Sequence, residues 1–239
     1  MPDFAAYDTR HYRTVDVVTG YDSWSDTYED SVPDAMDLAV LDRLLPPDPL
    51  APPHPAAARR VADLGCGTGR TAAWLRARGV TGEIDGVDLS PGMLARASER
   101  GAHTTLTEGD VRDTGLPTGV YDLVVSSLID EHLPDLGPFY AEARRLVRPG
   151  GTFLLASYHP HFAMASGMPT HYTDDSGESV AITTHVHPVG DQIRAGLANG
   201  WTLTDMVESL VDDHWITAKP KWERFRGHPV SAAYVWRAA

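Results

Sequence analysis

The chain has 239 residues, 42% of them hydrophobic and 22% charged, which suits one globular α/β domain with a cap or an insertion. A formal charge of −13 argues against the phosphate backbone of nucleic acid as a partner, because nucleic-acid binders carry a basic footprint. The single cysteine, Cys66, excludes an internal disulfide, and no stretch approaches the length of a membrane span. Together with a start, Met1-Pro2-Asp3-Phe4, that lacks the basic and apolar regions of a secretion signal, this gives the expectation of a cytoplasmic protein.

Residues 1–20 have no strong periodicity and read as a loose arm, a candidate contact for a homodimer. In Tyr21-Asp22-Ser23-Trp24-Ser25-Asp26-Thr27-Tyr28, the aromatic residues are three and four apart and share a face if the segment is helical. That stripe either packs on the core or closes over a ligand. Val32–Leu45 reads as an amphipathic helix with Pro33 in its first turn. Pro46–Pro55 holds six prolines in ten residues and reads as a stiff linker. The expected division is therefore 1–55 for arm, cap helices and linker, and 56–239 for the main domain.

Val61-Ala62-Asp63-Leu64-Gly65-Cys66-Gly67-Thr68-Gly69 follows the linker. A buried strand turns through three alternate glycines into a helix at Thr71–Arg78, leaving bare backbone and free N–H groups for a ligand. A dinucleotide fingerprint would need its last glycine at position 70, where this chain has Arg70. Strand-like and helix-like runs then alternate, which implies a parallel sheet covered on both faces. The strands are Val61–Leu64, Glu83–Asp88, Thr104–Thr107, Tyr121–Ser126 and Thr152–Ser157. The helices are Thr71–Arg78, Pro91–Arg100 and Leu136–Leu146, the last ending at the turn Arg148-Pro149-Gly150-Gly151. Tyr158–Pro188, with the turn Asp174-Asp175-Ser176-Gly177, reads as an inserted hairpin or lid at about 158–188. Val189–Asn199 reads as a helix ended by Gly200, and Trp201–Val211 and Val230–Arg237 as strands. Lys219, Lys221, Arg224 and Arg226 form the one dense basic patch and read as a solvated surface.

In an open parallel sheet, ligands sit beyond the carboxyl ends of the strands where the strand order reverses. That rule selects Asp88, nineteen residues after Gly69 and able to accept both hydroxyls of a ribose. Ser90, before Pro91, suits the cap of the next helix better than Asp88 does.

Asp63-Leu64-Gly65-Cys66-Gly67-Thr68-Gly69 resembles motif I of the class I S-adenosylmethionine-dependent methyltransferases, and the agreement of motif order and spacing runs over about residues 60–158. Arg144-Arg145-Leu146-Val147-Arg148-Pro149-Gly150-Gly151 resembles a later block of the same family, with Arg148 in place of the usual lysine. The resemblance implies a Rossmann-like fold of seven mostly parallel strands with helices on both faces, the last strand antiparallel, plus N-terminal cap helices and a lid after the fifth strand. It implies S-adenosyl-L-methionine as cofactor, with Gly65, Cys66, Gly67 and Gly69 as its loop. Asp63 would orient that loop or reach the amino-acid end of the cofactor. Asp88 would hold the ribose, Leu89 and Met93 the adenine, and Asp110 and Val111 its amino group and ring. Ser126 and Ser127 would lie beside the methionine arm, with Ser126 as the cofactor contact, and Tyr21 would close over the cofactor.

The expected reaction moves a methyl group to an oxygen or nitrogen of a small molecule. The substrate-side residues expected are Trp24, Tyr28, Tyr158, His161 and His171. Five of the eleven histidines fall within 159–187, and histidine takes protons near neutral pH. His159 is the expected general base, with His132 second. His159/His161 and His185/His187 have the spacing of metal-ligand pairs on a strand, but adjoining prolines and the lack of cysteine argue against a metal. The alternatives are methylation of RNA or protein, and a non-methylating regulator or cyclase on the same fold.

Overall fold

The computed structural model describes residues 4–32, 35–44 and 57–239, and all structural statements refer to these. In chain order the N-terminal part holds β1 (Arg13–Val15), α1 (Val17–Trp24), α2 (Tyr28–Ser31) and α3 (Met36–Asp42). Then follow β2 (Arg60–Leu64), α4 (Arg70–Ala77), β3 (Glu83–Asp88), α5 (Pro91–Arg100), β4 (Thr105–Glu108), β5 (Tyr121–Ser127), α6 (Gly137–Leu146) and β6 (Val147–Tyr158). The remainder is α7 (Pro160–Ser166), β7 (His171–Thr173), β8 (Ser179–Ile182), α8 (Val189–Ala198), β9 (Trp201–Leu210), α9 (Asp213–Ala218) and β10 (Pro229–Ala238).

The main sheet has seven strands in the order β4-β3-β2-β5-β6-β10-β9. β2 pairs in parallel with both β3 and β5, while β10 runs antiparallel to both of its neighbours. Side chains alternate across this sheet because successive strand residues face opposite ways. On β6, Phe153 and Leu155 join Phe139, Tyr140 and Leu146 of α6, while Leu154 and Ala156 join Val40 and Leu41 of α3 and Trp74 and Leu75 of α4. Each of the buried Val, Leu and Phe side chains contributes about 1.5–3 kcal/mol relative to exposure. The sheet is thus covered on both faces, and the strand order reverses between β3 and β5 on either side of β2.

Several local readings change. Residues 13–15 of the expected loose arm form a strand parallel to β8, giving a second sheet of order β1-β8-β7. The segment 158–188 contains helix α7 as well as the hairpin β7–β8, whose turn falls at Asp174–Gly177 as expected. The helix expected over 32–45 is described from Met36 to Asp42; Pro33 and the proline-rich 46–55 lie outside the described residues. Arg148-Pro149-Gly150-Gly151 does not stop the chain as a turn. It is a bulge inside β6, where Tyr121 pairs Val147 and Leu123 pairs Thr152, with Gly150 at φ +69° absorbing the extra length.

The packing of α8 on β10 is tight at one glycine. A Cβ at Gly196 would lie 2.5 Å from Cη2 of Trp236, a fully buried ring, whereas a Cβ at Gly190 of the same helix would meet nothing within 4 Å. Gly196→Ala is expected to destabilise the protein by roughly 1–3 kcal/mol through overpacking, and Gly190→Ala to be neutral or stabilising by up to about 1 kcal/mol. Urea unfolding of the two variants checks this, and equal midpoints would show that the ring has room to yield.

Candidate active site

β2 reaches its end at Leu64, and Gly65, Gly67 and Gly69 all take positive φ (+69°, +51° and +84°), a conformation that only glycine adopts without strain. The loop is fixed from beneath, because the Gly65 and Cys66 N–H groups both donate to the Val87 carbonyl at 2.8 and 3.0 Å. Asp88, at the tip of β3, accepts from the Gly67 N–H (2.8 Å) and the Ser90 N–H (2.9 Å). Burial pushes the Asp88 carboxyl up while these backbone bonds pull it down. Ser90 itself caps α5 by accepting from the Met93 N–H.

Above this loop lies a cavity of about 350 Å³. Gly65, Gly67, Asp88, Leu89, Met93, Asp110, Val111 and Tyr21 all line it, so eight residues named from the sequence come together in one place. The position of a Gly67 Cβ meets nothing within 4 Å, so the loop opens on the cavity as bare backbone. A carboxylate beside exposed backbone and apolar walls fits the ribose, adenine and methionine parts of S-adenosylmethionine. Asp110 reaches the cavity with both oxygens engaged by Arg112, at 2.6 to 3.1 Å, and that guanidinium holds its carboxyl below the usual range.

Four expected cofactor residues are among the described residues that do not line the cavity. Ser126 is fully buried and donates to the Leu64 carbonyl at 2.6 Å; its neighbour Ser127 faces the cavity instead. Asp63 is buried behind the loop, where His103 Nε2–H donates to it at 3.0 Å. The same imidazole packs beneath Gly69, 3.3 Å from the position of its Cβ. Cys66 is buried, and burial pushes its thiol well up, so it remains an unreactive thiol.

A second cavity of about 300 Å³ adjoins the first, and Tyr21, Tyr28 and Leu128 line both. Leu128 has φ +57°, a strained conformation for a branched side chain, and sits where β5 ends between the two spaces. Trp24, Tyr28, Tyr158 and His171 line the second cavity, as do Glu131, Trp215, Lys219, Lys221 and Trp222. The two lysines thus belong to an aromatic cavity rather than to a merely solvated patch. Their part was hidden because residues 215–222 meet residues 21–36 and 158–172 only in the folded chain.

The histidines separate clearly. His132 lines the cavity over the glycine loop; its Nδ1–H donates to the Thr183 carbonyl (2.7 Å), leaving Nε2 to accept from Tyr21 Oη–H (2.8 Å). Burial pushes its pKa down to about 4, so the ring is neutral at ordinary pH. Glu131 Oε1 lies 3.5 Å from the same Nε2, and burial raises Glu131 to about 7. His159, the expected base, lines neither cavity. Its Nδ1 accepts from the His161 N–H to cap α7, and its Nε2–H donates to Glu208 at 2.8 Å. His161 turns away to His228, 3.0 Å distant. His187 donates to the Leu133 carbonyl at 2.7 Å. Among the described residues no group of three or more His, Cys, Asp or Glu could hold a metal ion, and no helix is long and apolar enough to cross a membrane.

The buried pair sets opposite pH trends. Glu131 has a raised folded pKa, so its contribution to stability is present below about pH 4.5 and is lost as pH rises through about 7. His132 has a depressed folded pKa, so its contribution is present above about pH 6.5 and is lost as pH falls through about 4. Thermal unfolding from pH 4 to 8 is expected to give Glu131→Gln a flatter profile above pH 5, and His132→Gln a flatter one below pH 6.5. Parallel profiles for wild type and both variants would contradict these environments.

Residues 62–155 match the model of a methyltransferase domain. An uncharacterized methyltransferase of Emericella nidulans is 31% identical over 62% of this chain and 58% of its own length. Malonyl-[acyl-carrier protein] O-methyltransferase of Serratia marcescens is 36% identical over 44% of this chain and 39% of its own. The chain thus spans about half the length of these two relatives. Among solved structures, an S-adenosylmethionine dependent methyltransferase from Mesorhizobium loti superposes with a TM-score of 0.65 at 26% identity, covering 85% of this chain and 98% of that one. Residues 62–155 thus carry a methyltransferase domain matched at the glycine loop, set in the Rossmann-like fold of the class I S-adenosylmethionine-dependent methyltransferases.

Proposed function

We propose that the protein transfers a methyl group from S-adenosylmethionine to an oxygen or nitrogen of a small molecule held in the aromatic cavity. The observation that carries this reading is the pair of adjoining cavities, one over the glycine loop and Asp88, the other lined by aromatic rings, sharing Tyr21, Tyr28 and Leu128. The Serratia relative is named as an O-methyltransferase, which supports oxygen as an acceptor. A formal charge of −13 favours a small molecule over RNA.

S-adenosylmethionine supplies a methyl group already activated by its sulfonium, so the protein's task is positioning, water exclusion and proton removal. Asp88 and the Gly67 backbone would hold the cofactor, and the rings of Trp24, Tyr28 and Tyr158 would orient the acceptor. Tyr21 and His132 form the proton path: the acceptor's proton passes to Tyr21 Oη as the tyrosine proton moves to His132 Nε2. The buried Glu131 carboxylate beside Nε2 stabilises the imidazolium so formed. This assigns the base role to His132, and makes His159 a helix cap.

Incubation with methyl-labelled cofactor and a fractionated cell extract tests the reading, with label expected in the small-molecule fraction. Label in RNA or protein would replace the proposed acceptor, and cofactor binding without any labelled product would favour a non-methylating role. With the acceptor in hand, Tyr21→Phe is expected to lower kcat about 10²-fold while leaving cofactor affinity near wild type. Asp88→Asn is expected to weaken S-adenosylhomocysteine binding at least about tenfold, the loss of a charge-assisted hydrogen bond. Wild-type turnover in Tyr21→Phe would remove the proposed proton path.

A further inference from the structure

Behind the glycine loop lies a polar pair that does not reach the cavity. The side chains of His103 and Asp63 are each 1% exposed, and His103 Nε2–H donates to Asp63 Oδ2 at 3.0 Å. The other polar atoms of the pair, His103 Nδ1 and Asp63 Oδ1, are buried with no hydrogen-bond partner among the described residues. Burying such a pair costs desolvation that its attraction roughly offsets, and each unpaired atom adds a further cost. A hydrocarbon side chain of similar size would occupy the same space without either. Filling a void therefore does not account for an imidazole at this position.

The backbone is arranged to admit that ring. Asp63 on β2 stands in register with Gly86 on β3, so the side chain missing at position 86 leaves room beside the carboxylate. The imidazole takes that room: a Cβ at Gly86 would lie 2.7 Å from His103 Cδ2 and 2.9 Å from its Nε2. The same ring meets the glycine loop, with Cε1 3.3 Å from the position of a Gly69 Cβ. One imidazole thus contacts a strand glycine and a loop glycine at once.

His103 is itself tied down. Gly101, at φ +67°, ends α5 and turns the chain back. Thr104 then bonds Ile84 of β3 twice, its N–H donating to the carbonyl (2.7 Å) and its Oγ1 accepting from the N–H (3.0 Å). Arg100 donates through Nε to the Thr68 carbonyl at 2.8 Å. The segment 100–104 therefore grips the glycine loop at Thr68 and Gly69, and through Asp63 it grips the strand that feeds the loop. Glycines have many backbone conformations open to them, so the positive φ of all three loop glycines has to be imposed from outside. Val87 and Asp88 fix the Gly65–Gly67 end, and the Gly69 end is left to His103 and its neighbours.

We infer that His103 is a positioning residue for S-adenosylmethionine, holding the glycine loop in its binding shape through Asp63 and Gly69 without touching the cofactor. The hydrogen bond to Asp63 sets the orientation of the ring, and the ring sets Gly69. Because only the cofactor end is involved, this holds whichever acceptor fills the aromatic cavity.

His103→Gln and His103→Met test the role, since the two replacements are close in length and volume and only glutamine can donate to Asp63. The readouts are S-adenosylhomocysteine affinity by isothermal titration and the urea midpoint of each protein. His103→Gln is expected to bind within about threefold of wild type and His103→Met at least about tenfold more weakly, the loss of one charge-assisted hydrogen bond. In an Asp63→Ala background the two are expected to bind alike, because the partner of the bond is gone. Gly86→Ala, whose Cβ displaces the ring while leaving its hydrogen-bonding groups in place, is expected to weaken binding at least about threefold. A purely structural histidine gives a different pattern, in which midpoints fall while His103→Met binds as wild type does. That pattern, equal losses in His103→Gln and His103→Met, or wild-type affinity in Gly86→Ala would each overturn the assignment. Should His103→Met fail to fold, Gly86→Ala decides the matter.

Discussion

A single carboxylate joins the two loops on which the cofactor end of the sheet is built. Asp88 accepts one hydrogen bond from the glycine loop after β2 and another from the turn after β3, so the two strand tips are held in register beyond the last ladder pair. The glycine loop then sets the start of α4, where Arg70 pairs with Asp37 of α3 at 2.7 Å, both side chains being nearly buried. Asp37 in turn accepts from Ser127 at the end of β5 (3.0 Å). An ion pair this deep adds little net stability, since its attraction largely repays desolvation, but it penalises any other placement of α3.

The same device recurs over the N-terminal segment. Glu29 accepts from Thr68 of the glycine loop and pairs with Arg100 at 2.9 Å. Asp22 accepts from Ser90 Oγ–H and from the Gly92 N–H at the start of α5. Much of the acidic charge near the cofactor cavity is thus spent fastening α1 to α3 over the sheet edge. Net charge describes the whole surface, whereas recognition depends on the few groups that converge.

The sheet was legible in the sequence because its signals are local. Apolar runs, glycine turns and the Ser90-Pro91 cap each speak through fewer than ten residues, and their alternation determines a parallel sheet. β3 and α5 lie at the bounds read from sequence. The lining of the cavity over the glycine loop was largely legible for the same reason: most of its residues named from the sequence stand at strand ends. The aromatic cavity was not, because Glu131, Trp215 and Lys221 come from segments without a common period. A histidine before proline after a strand reads equally as a base near the cleft or as a cap, and for His159 the folded chain shows the cap, with bonds to His161 and Glu208. At the end of β5 the strand period separates two adjacent serines, Ser126 into the core and Ser127 to the cavity, and position at a strand end alone does not distinguish them.

The small sheet β1-β8-β7 carries a consequence for how the molecule is made. Val15 accepts a side-chain hydrogen bond from Thr183, 168 residues further along, and the β1 ladder pairs Arg13 with Val180. During synthesis β1 leaves the ribosome well before β8 and waits for that strand to emerge before it finds its partner. Contacts of such long sequence separation form late, after their loop-closure entropy has been offset by other packing. The α1 aromatic stripe, which packs against Tyr172, Val180 and Ile182, is therefore exposed on the nascent chain for most of translation. The parallel strands β2 to β6 precede β8 in the chain, so that part of the central sheet can assemble before its cover.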